Sequence, residues 1–315
     1  MQSISISLAR PRTGVRRRSL YLRPERVLTI VAFLLPAALL YIALVIYPVI
    51  QAAHHGFYKW NGLGPLTNFV GLENYRRILS DDIFQQAVWH NFFFIVLSVL
   101  IQLPLAFFCA LLVGRQMRGR AVFRMIYFLP FVLSEVVTGL IWSFIYHARA
   151  GLLNWILGII APGWDPPSWL GTPNMLVLVT IFVVITWKYV GYHMILYVAG
   201  LQNIPAELEE AAQIDGASGW QVIRFIILPL LGPTIRLTIY LAVLGSIQLF
   251  DLVWVMTQGG PANASNTMAT YMYQFGFLRS QLGYGSSIAV IMFVICFGFS
   301  LFYQRQVMRR DFAES

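Results

Sequence analysis

Three charged residues, Glu135, Lys188 and Asp251, lie inside long apolar stretches of the sequence. A charged side chain within a membrane-spanning segment costs roughly 2.5–3.5 kcal/mol on insertion scales, so each of them calls for a physical reason. Carboxylates and amides bind hydroxyl groups, and aromatic rings pack against apolar C–H surfaces. Tyr192 follows Lys188 on the same helical face, and Gln248 precedes Asp251 within the same stretch. These five residues are predicted to contact a polar solute.

A second interpretation of these residues stays open. Counted from the predicted cytoplasmic ends of their helices, Glu135 and Lys188 differ by roughly 5 Å in depth at ~1.5 Å per residue, which allows an ion pair. Such a pair would hold two neighbouring helices together and need not touch a solute. Tyr189 and His193 share a different helical face from Lys188 and Tyr192, so both pairs cannot point fully inward. We expect Lys188 and Tyr192 to face the solute.

The composition indicates a membrane protein. The chain has 315 residues, of which 58% are apolar and only 11% are charged, too few to coat a water-soluble globule of this size. Six continuous apolar runs are each long enough to cross a bilayer, and continuous runs favour helices over the alternating segments of a β-barrel. The sequence therefore predicts an all-α integral membrane protein with six transmembrane helices, near Leu28–Ile50, Phe92–Val113, Ala121–Tyr146, Met175–Ala199, Ile235–Thr257 and Ser286–Gln306.

The basic residues divide unequally between the two sides of this predicted bundle. Sixteen lysines and arginines fall on the side that holds both termini, and five fall on the other. An excess of positive charge marks the cytoplasmic side, so both termini are expected in the cytoplasm. Because topology accounts for the net charge of +9, nucleic acid is not expected as a partner.

One membrane domain, residues 28–307, is expected between a basic tail at 1–27 and a short cytoplasmic tail at 308–315. Arginines in the first tail should be attracted to anionic lipid headgroups. The run Arg16-Arg17-Arg18 could instead open an export signal. The following apolar run covers about 23 residues, longer than the 7–15 of a cleaved signal, so a retained first helix is favoured.

A polar connection at residues 200–233 has the sequence of two short helices. Pro205 suits a first helical turn, and Gly216 supplies a left-handed stop, which predicts a helix from about Pro205 to Asp215. Ser218 and Gln221 have the spacing of a capping box, so a second helix should follow and end near Pro229. Val222, Phe225 and Ile226 would form its apolar stripe. The pair would make a compact knob projecting into the cytoplasm.

Within this connection, the sequence resembles the E-A-A loop of ATP-binding-cassette importer permeases. The match consists of Glu210-Ala211-Ala212, three residues, Gly216, nine residues, Ile226, one residue and Leu228-Pro229. The flanking residues resemble the sugar-uptake branch of that family, as do segments dispersed over most of the chain. These matches are Ala199–Gln202, Ile204-Pro205, Leu208-Glu209, Ile214–Ser218, Tyr47-Pro48, Asn68–Tyr75, Tyr127–Pro130 and Thr257–Pro261.

The resemblance implies a permease subunit that carries half of a sugar pathway in a bacterial inner membrane. Its partners would be a second related permease, two ATPase subunits and an external solute-binding protein that docks on the 54–91 and 147–174 connections. The loop residues that would couple to the ATPase are Glu210, Ala211, Ala212, Asp215 and Gly216. A disaccharide or longer oligosaccharide is the expected substrate, and polyols and glycerol phosphate remain open.

Several chemistries are not expected in this chain. Neither of its two lysines follows a glycine-rich phosphate-binding turn, so no cofactor is expected here, and ATP with its magnesium would bind to the partner ATPase. The five histidines lack metal-ligand spacing to acids or cysteines. Cys109 and Cys296 lie in apolar runs, which indicates core residues rather than a disulfide.

Three other functions fit the sequence less well. A secondary transporter would use Glu135, Lys188 or Asp251 to exchange protons, but it would have no use for the 200–233 knob. A membrane enzyme lacks a clustered catalytic set, and an ion channel lacks a filter-like repeat. The importer permease is therefore the favoured function.

Overall fold

The computed structural model describes residues 24–114 and 119–308. Within these ranges the only strand-like pairing is an isolated antiparallel bridge between Tyr58 and Phe69. Residues 1–23 and 309–315, which make up most of the two predicted tails, lie outside the described residues. We number the helices in chain order: α1 Leu28–His55, α2 Glu73–Leu79, α3 Asp82–Gly114, α4 Arg120–Val132, α5 Glu135–Ile145, α6 Leu152–Ile160, α7 Met175–Gln202, α8 Ala206–Ile214, α9 Gly219–Leu230, α10 Gly232–Ile247, α11 Asp251–Thr257, α12 Met268–Tyr273 and α13 Leu282–Met308.

Four of these helices, α1, α3, α7 and α13, are each long and apolar enough to cross a membrane. Two bent pairs raise the number to six if each pair counts as one span. The pair α4/α5 is bent by 96°, and the pair α9/α10 is bent by 71°. The predicted all-α membrane fold is confirmed, and two of the predicted spans, the third and the fifth, are each divided into two helices by a break.

The third predicted span, Ala121–Tyr146, is broken in its middle. Leu133 adopts an extended conformation after α4, with ψ of 141°. Ser134 then caps α5, since its hydroxyl oxygen accepts a hydrogen bond from the Val137 amide at 3.2 Å. The sequence predicted one continuous helix here because apolar residues surround Ser134. Composition alone does not mark this serine as the start of a new helix.

The fifth predicted span, Ile235–Thr257, is also interrupted. Its helix α10 ends at Ile247, and α11 begins at Asp251 after a short non-helical break. The bend before α10 comes at Leu231, where Gly232 and Pro233 open the new helix. The apolar composition of this stretch gives no sign of the break, because the break depends on hydrogen bonds from residues distant in the chain.

Three prolines inside helices follow short stretches of π-helix. A proline lacks an N–H group, and its ring crowds the carbonyl four residues earlier. A π turn bonds to the carbonyl five residues earlier, which relieves that crowding. The helices therefore continue through these prolines, and the second loop helix ends at Leu230, next to Pro229, where the sequence predicted its end. The π stretches that precede these prolines are Ile42–Ile46 before Pro48, Ser98–Gln102 before Pro104 and Ile223–Ile227 before Pro229.

The chain divides into two compact units at Ile50, and the second unit is organised around α7. One apolar cluster joins α7 to α11, and another joins α7 to α3 near Leu231. At Gly191 the helix α4 comes so close that a β-carbon would lie 1.8 Å from the Tyr127 carbonyl oxygen. Glycine at this position therefore sets the distance between α4 and α7.

The first long connection of the second unit forms a small ordered cap on α13. The Asn74 amide donates to the carbonyl oxygens of Gly56 at 2.9 Å and Tyr58 at 3.0 Å. Ser287 on α13 donates to the same Gly56 oxygen at 3.0 Å. The later connection, residues 147–174, contains the helix α6, which the sequence analysis did not predict.

Candidate functional site

The connection between α7 and α10, which we call the α8–α9 loop (residues 200–233), folds into two helices joined at a left-handed glycine. Gly216 has a φ of 83°. Its amide donates to the Gln213 carbonyl at 3.1 Å, and the Ala217 amide donates to the Ala212 carbonyl at 2.9 Å. These two bonds are those of a Schellman helix end. No atom lies within 4 Å of a β-carbon placed on Gly216, so backbone conformation rather than crowding requires glycine.

The second loop helix begins with the predicted capping box, which is confirmed. The Gln221 amide donates to the Ser218 hydroxyl oxygen at 3.4 Å, and the Ser218 amide donates to the Gln221 side-chain oxygen at 2.7 Å. Each residue thus satisfies a backbone donor of the other. Both helices of the loop are fixed by bonds between near neighbours in the chain.

The five residues predicted to couple to an ATPase lie together on this loop. Glu210, Ala211, Asp215 and Gly216 are exposed, and Ala212 is half-buried. Asp215 is the C-cap residue of α8. The arrangement presents the motif on the surface of a short, well-capped structure.

Large apolar side chains also stand out from the α8–α9 loop. Ile214 is 85% exposed, Phe225 is 67% exposed and Trp220 is 65% exposed. The sequence placed Phe225 in a stripe with Val222 and Ile226, but the structure buries Val222 and turns Phe225 outward. Exposed apolar groups clustered on one small element are typical of a surface that another protein covers.

The break between α4 and α5 brings polar groups into the membrane domain. Lys188, only 2% exposed, donates from its ammonium group to the Leu133 carbonyl at 2.5 Å. Glu135, the first residue of α5, accepts a hydrogen bond from the Tyr189 hydroxyl. Glu135 and Lys188, which the sequence allowed to form an ion pair, each form a hydrogen bond with a different partner, and Lys188 still interacts with the charge of Glu135.

The break between α10 and α11 is held by residues from distant helices. Asn91, which is 1% exposed, donates to the carbonyls of Ser246 at 2.6 Å and Ile247 at 3.3 Å. Its side-chain oxygen accepts from the Met268 amide at 2.9 Å. The Thr267 hydroxyl donates to the Leu249 carbonyl at 2.7 Å. Carbonyls freed by the break are therefore paired inside the protein, as an apolar environment requires.

A cavity of about 390 Å³ lies between the two breaks. Phe131 stacks on Tyr192 along its wall, with ring centroids 4.6 Å apart and an interplanar angle of 16°. His193 also lines the cavity, and its Nδ1 has no hydrogen-bond partner among the described residues. The lining residues are Ser98, Gln102, Phe131, Glu135, Ile185, Tyr189, Tyr192, His193, Leu241, Ala242, Gly245, Ser246, Gln248, Leu249, Phe250 and Asp251.

The structure brings four of the five predicted solute contacts to this one cavity. Glu135, Tyr192, Gln248 and Asp251 line it. Lys188 does not, since it faces the break at Leu133. The face of α7 that meets the cavity carries Tyr189, Tyr192 and His193, so the expectation that Lys188 and Tyr192 would point inward together fails for Lys188.

Sequence reasoning missed several polar residues of this region. Ser98 and Gln102 line the cavity and are each 2% exposed. Both are polar residues within a predicted span, so the same test that selected the charged residues could have found them. The roles of Asn91 and Thr267 had no such signal, because their partners are defined only by the fold.

Comparisons with known proteins agree with this architecture. Residues 102–311 match the family described as binding-protein-dependent transport system inner membrane component. A probable ATP-binding-cassette transporter permease protein of Pyrococcus horikoshii is 36% identical over 84% of this chain and 91% of that protein. The trehalose/maltose transport system permease protein MalF of Thermococcus litoralis is 32% identical over 86% of this chain and 90% of that protein.

The fold has also been seen in a solved structure. A chain of a bacterial ATP-binding-cassette transporter involved in the import of the acidic polysaccharide alginate superposes with a TM-score of 0.80. The two chains are 22% identical, and the match covers 90% of this chain and 96% of the other. Together, the family match and the two relatives show that this chain belongs to the inner membrane components of binding-protein-dependent transport systems, which are permeases of ATP-binding-cassette transporters.

Proposed function

We propose that this chain is one of two permease subunits of an importer that takes up a carbohydrate, driven by ATP hydrolysed on a separate chain. The observation that carries the proposal is the exposed α8–α9 loop, with its Glu210-Ala211-Ala212 motif and its outward apolar side chains. An apolar, well-capped projection in an otherwise membrane-embedded chain needs a protein surface to cover it.

The α8–α9 loop would act as a rigid coupling element. Ile214, Trp220 and Phe225 would fill apolar depressions of the ATPase subunit, and Glu210 would pair with a basic residue there. Gly216 keeps the two helices close together, so a displacement of the ATPase surface moves both as one body. The loop continues directly into α7 and α10, both of which contribute to the cavity wall. Movement at the loop would in this way reach the solute site.

The unequal distribution of basic residues supports an orientation with both termini and the α8–α9 loop in the cytoplasm. The external solute-binding protein would then dock on the opposite side, over the 54–91 and 147–174 connections. ATP and magnesium would bind to two ATPase subunits, and a second homologous permease would supply the other half of the pathway. The match to an inner membrane component supports a location of the assembly in the inner membrane.

A carbohydrate substrate is supported by the cavity and by the relatives. Aromatic rings at Phe131 and Tyr192 offer a flat surface to a sugar ring, and Glu135, Gln248 and Asp251 offer hydrogen-bond acceptors to its hydroxyl groups. The relative from Thermococcus litoralis is named for trehalose and maltose, whereas the solved structure belongs to a transporter of an acidic polysaccharide. The names therefore support a carbohydrate and leave its charge undecided.

Uptake by the complete transporter in sealed vesicles tests this proposal. We expect accumulation of the solute to require ATP inside the vesicle and to persist when a protonophore collapses the proton gradient. Glu210→Lys should reduce uptake at least tenfold while the protein remains inserted, whereas Glu210→Asp should retain most of it. Uptake that needs the proton gradient and ignores ATP would instead indicate a secondary transporter.

A further inference from the structure

The charged residues that line the cavity are all acidic. Glu135 and Asp251 contribute two carboxylates, while the lining, drawn from the part of the chain that the structure describes, contains no lysine or arginine. The remaining polar groups of the lining are hydroxyls, side-chain amides and an imidazole. A concave site lined by one sign of charge concentrates solutes of the opposite sign and repels those of the same sign.

The single cation of α7 is turned away from this space. Lys188 is 2% exposed, and its ammonium group lies 2.5 Å from the Leu133 carbonyl oxygen. That carbonyl has lost its helical partner at the break after α4 and needs a donor. The ammonium group cannot swing into the cavity without leaving the carbonyl unpaired. Lys188 therefore stabilises the break, and it interacts with the charge of Glu135 from outside the cavity lining.

The acceptors in the cavity suit hydroxyl-bearing solutes. Glu135 accepts from the Tyr189 hydroxyl, and an ionised carboxylate has further acceptor sites for hydroxyl groups of a solute. The stacked rings of Phe131 and Tyr192 cover one wall with an apolar surface. The cavity volume of about 390 Å³ lies within the range of small-molecule sites.

We propose that the transported carbohydrate carries no negative charge. Phosphorylated, sulfonated and uronic acid sugars would each bring an anion beside Glu135 and Asp251, and the lining offers no lysine or arginine to pair with that anion. This inference rests on the proposed function, because it takes carbohydrate import for granted and narrows the substrate within it.

Mass spectrometry of the ligand that co-purifies with the transporter's solute-binding protein tests the inference. The binding protein is identified as the one that stimulates ATP hydrolysis by the reconstituted transporter. A saccharide without phosphate, sulfonate or carboxylate groups is the expected ligand. An anionic saccharide would overturn the inference and leave carbohydrate import standing. A ligand that is not a carbohydrate would overturn the proposed function itself.

Variants of the two carboxylates test whether the cavity is responsible. With the co-purified ligand as the transported solute, Asp251→Asn and Glu135→Gln should each raise the KM for uptake about five- to tenfold, since a charged acceptor binds hydroxyl groups more strongly than an amide. The charge-conserving Asp251→Glu should stay within about twofold of the original protein. An unchanged KM in both amide variants would overturn the inference.

Discussion

The α8–α9 loop and the cavity are built in opposite ways. The bonds at Gly216 and between Ser218 and Gln221 join residues that are close in the chain, and most of the loop surface is exposed. Around the cavity, Asn91 bonds to residues 155 and 177 positions away, and Lys188 bonds to a residue 55 positions away. The loop is a locally determined structure, whereas the cavity depends on the assembled bundle.

This difference indicates that the α8–α9 loop and the cavity have different roles in transport. A locally fixed loop can transmit a displacement without changing its own shape. A cavity bounded by two helix breaks can change shape when the helices around it shift, because its walls are joined by individual hydrogen bonds rather than by continuous helix. Changes in each region should therefore have distinct consequences for stability and for uptake.

The largest effect is expected at Asn91. Asn91→Ala removes three hydrogen bonds from a side chain that is 1% exposed and leaves carbonyls of the α10–α11 break unpaired. The free energy of unfolding should fall by roughly 3–6 kcal/mol, visible as a large drop in the thermal midpoint in detergent. Asn61→Ala removes one bond at an exposed turn and should cost less than about 0.5 kcal/mol. Equal midpoints for the two variants would contradict the role assigned to Asn91.

Lys188→Met should have the next largest effect. Loss of the ammonium group leaves the Leu133 carbonyl without its donor, at a cost of about 1–3 kcal/mol in the free energy of unfolding. The KM for uptake should stay close to its original value, because Lys188 does not line the cavity. The chain's other lysine, Lys59, is exposed, so Lys59→Met serves as the stability control. A raised KM with an unchanged thermal midpoint would place Lys188 in the solute pathway instead.

A smaller cost in stability, but a large loss of uptake, is expected at Gly216. Gly216→Val forces a side chain into a left-handed conformation, which costs about 1–2 kcal/mol and reshapes the α8–α9 loop. Gly219→Val is the matched control, because Gly219 is also surrounded by open space but lacks a positive φ. Vesicle assays should show uptake reduced severalfold or more in the first variant and nearly retained in the second. Similar uptake in both would show that the bend at Gly216 is dispensable.

The smallest effect is expected at Ser218. Ser218→Ala removes the capping box and should cost about 1 kcal/mol, confined to the start of α9. Hydrogen exchange should become faster at residues 219–222 and stay unchanged in α7. Faster exchange across the whole bundle would mean that the α8–α9 loop is not the local structure described here.

The loop was predictable from the sequence, and most of the cavity was not. Gly216, Ser218 and Gln221 carry local signals that mean the same thing in any fold, and the structure uses each of them as expected. The α4–α5 break was missed because the apolar composition continues on both sides of Ser134, which supplies the cap. The position of Glu135 in the cavity was foreseen from the cost of a charge in a span.

The misplacement of Lys188 has a specific physical cause. Helix periodicity grouped Lys188 with Tyr192, whereas the cavity face of α7 carries Tyr192 with Tyr189 and His193. Periodicity also could not reveal the unpaired Leu133 carbonyl at the break after α4. The same limit applies to Asn91, whose three partners become neighbours only in the folded bundle. Breaks in membrane helices leave backbone carbonyls without helical partners. The pattern of a single sequence shows neither the break nor the side chain that donates to those carbonyls.

Hydrogen exchange of the α8–α9 loop, compared between the isolated permease and the complete transporter, decides whether this loop binds the ATPase subunits. We expect the amides of residues 206–230 to become strongly protected when the ATPase subunits bind. In the absence of the solute-binding protein, the 54–91 and 147–174 connections should exchange equally in both samples. Unchanged exchange across residues 206–230 in a transporter that actively hydrolyses ATP would show that the loop does not bind the ATPase.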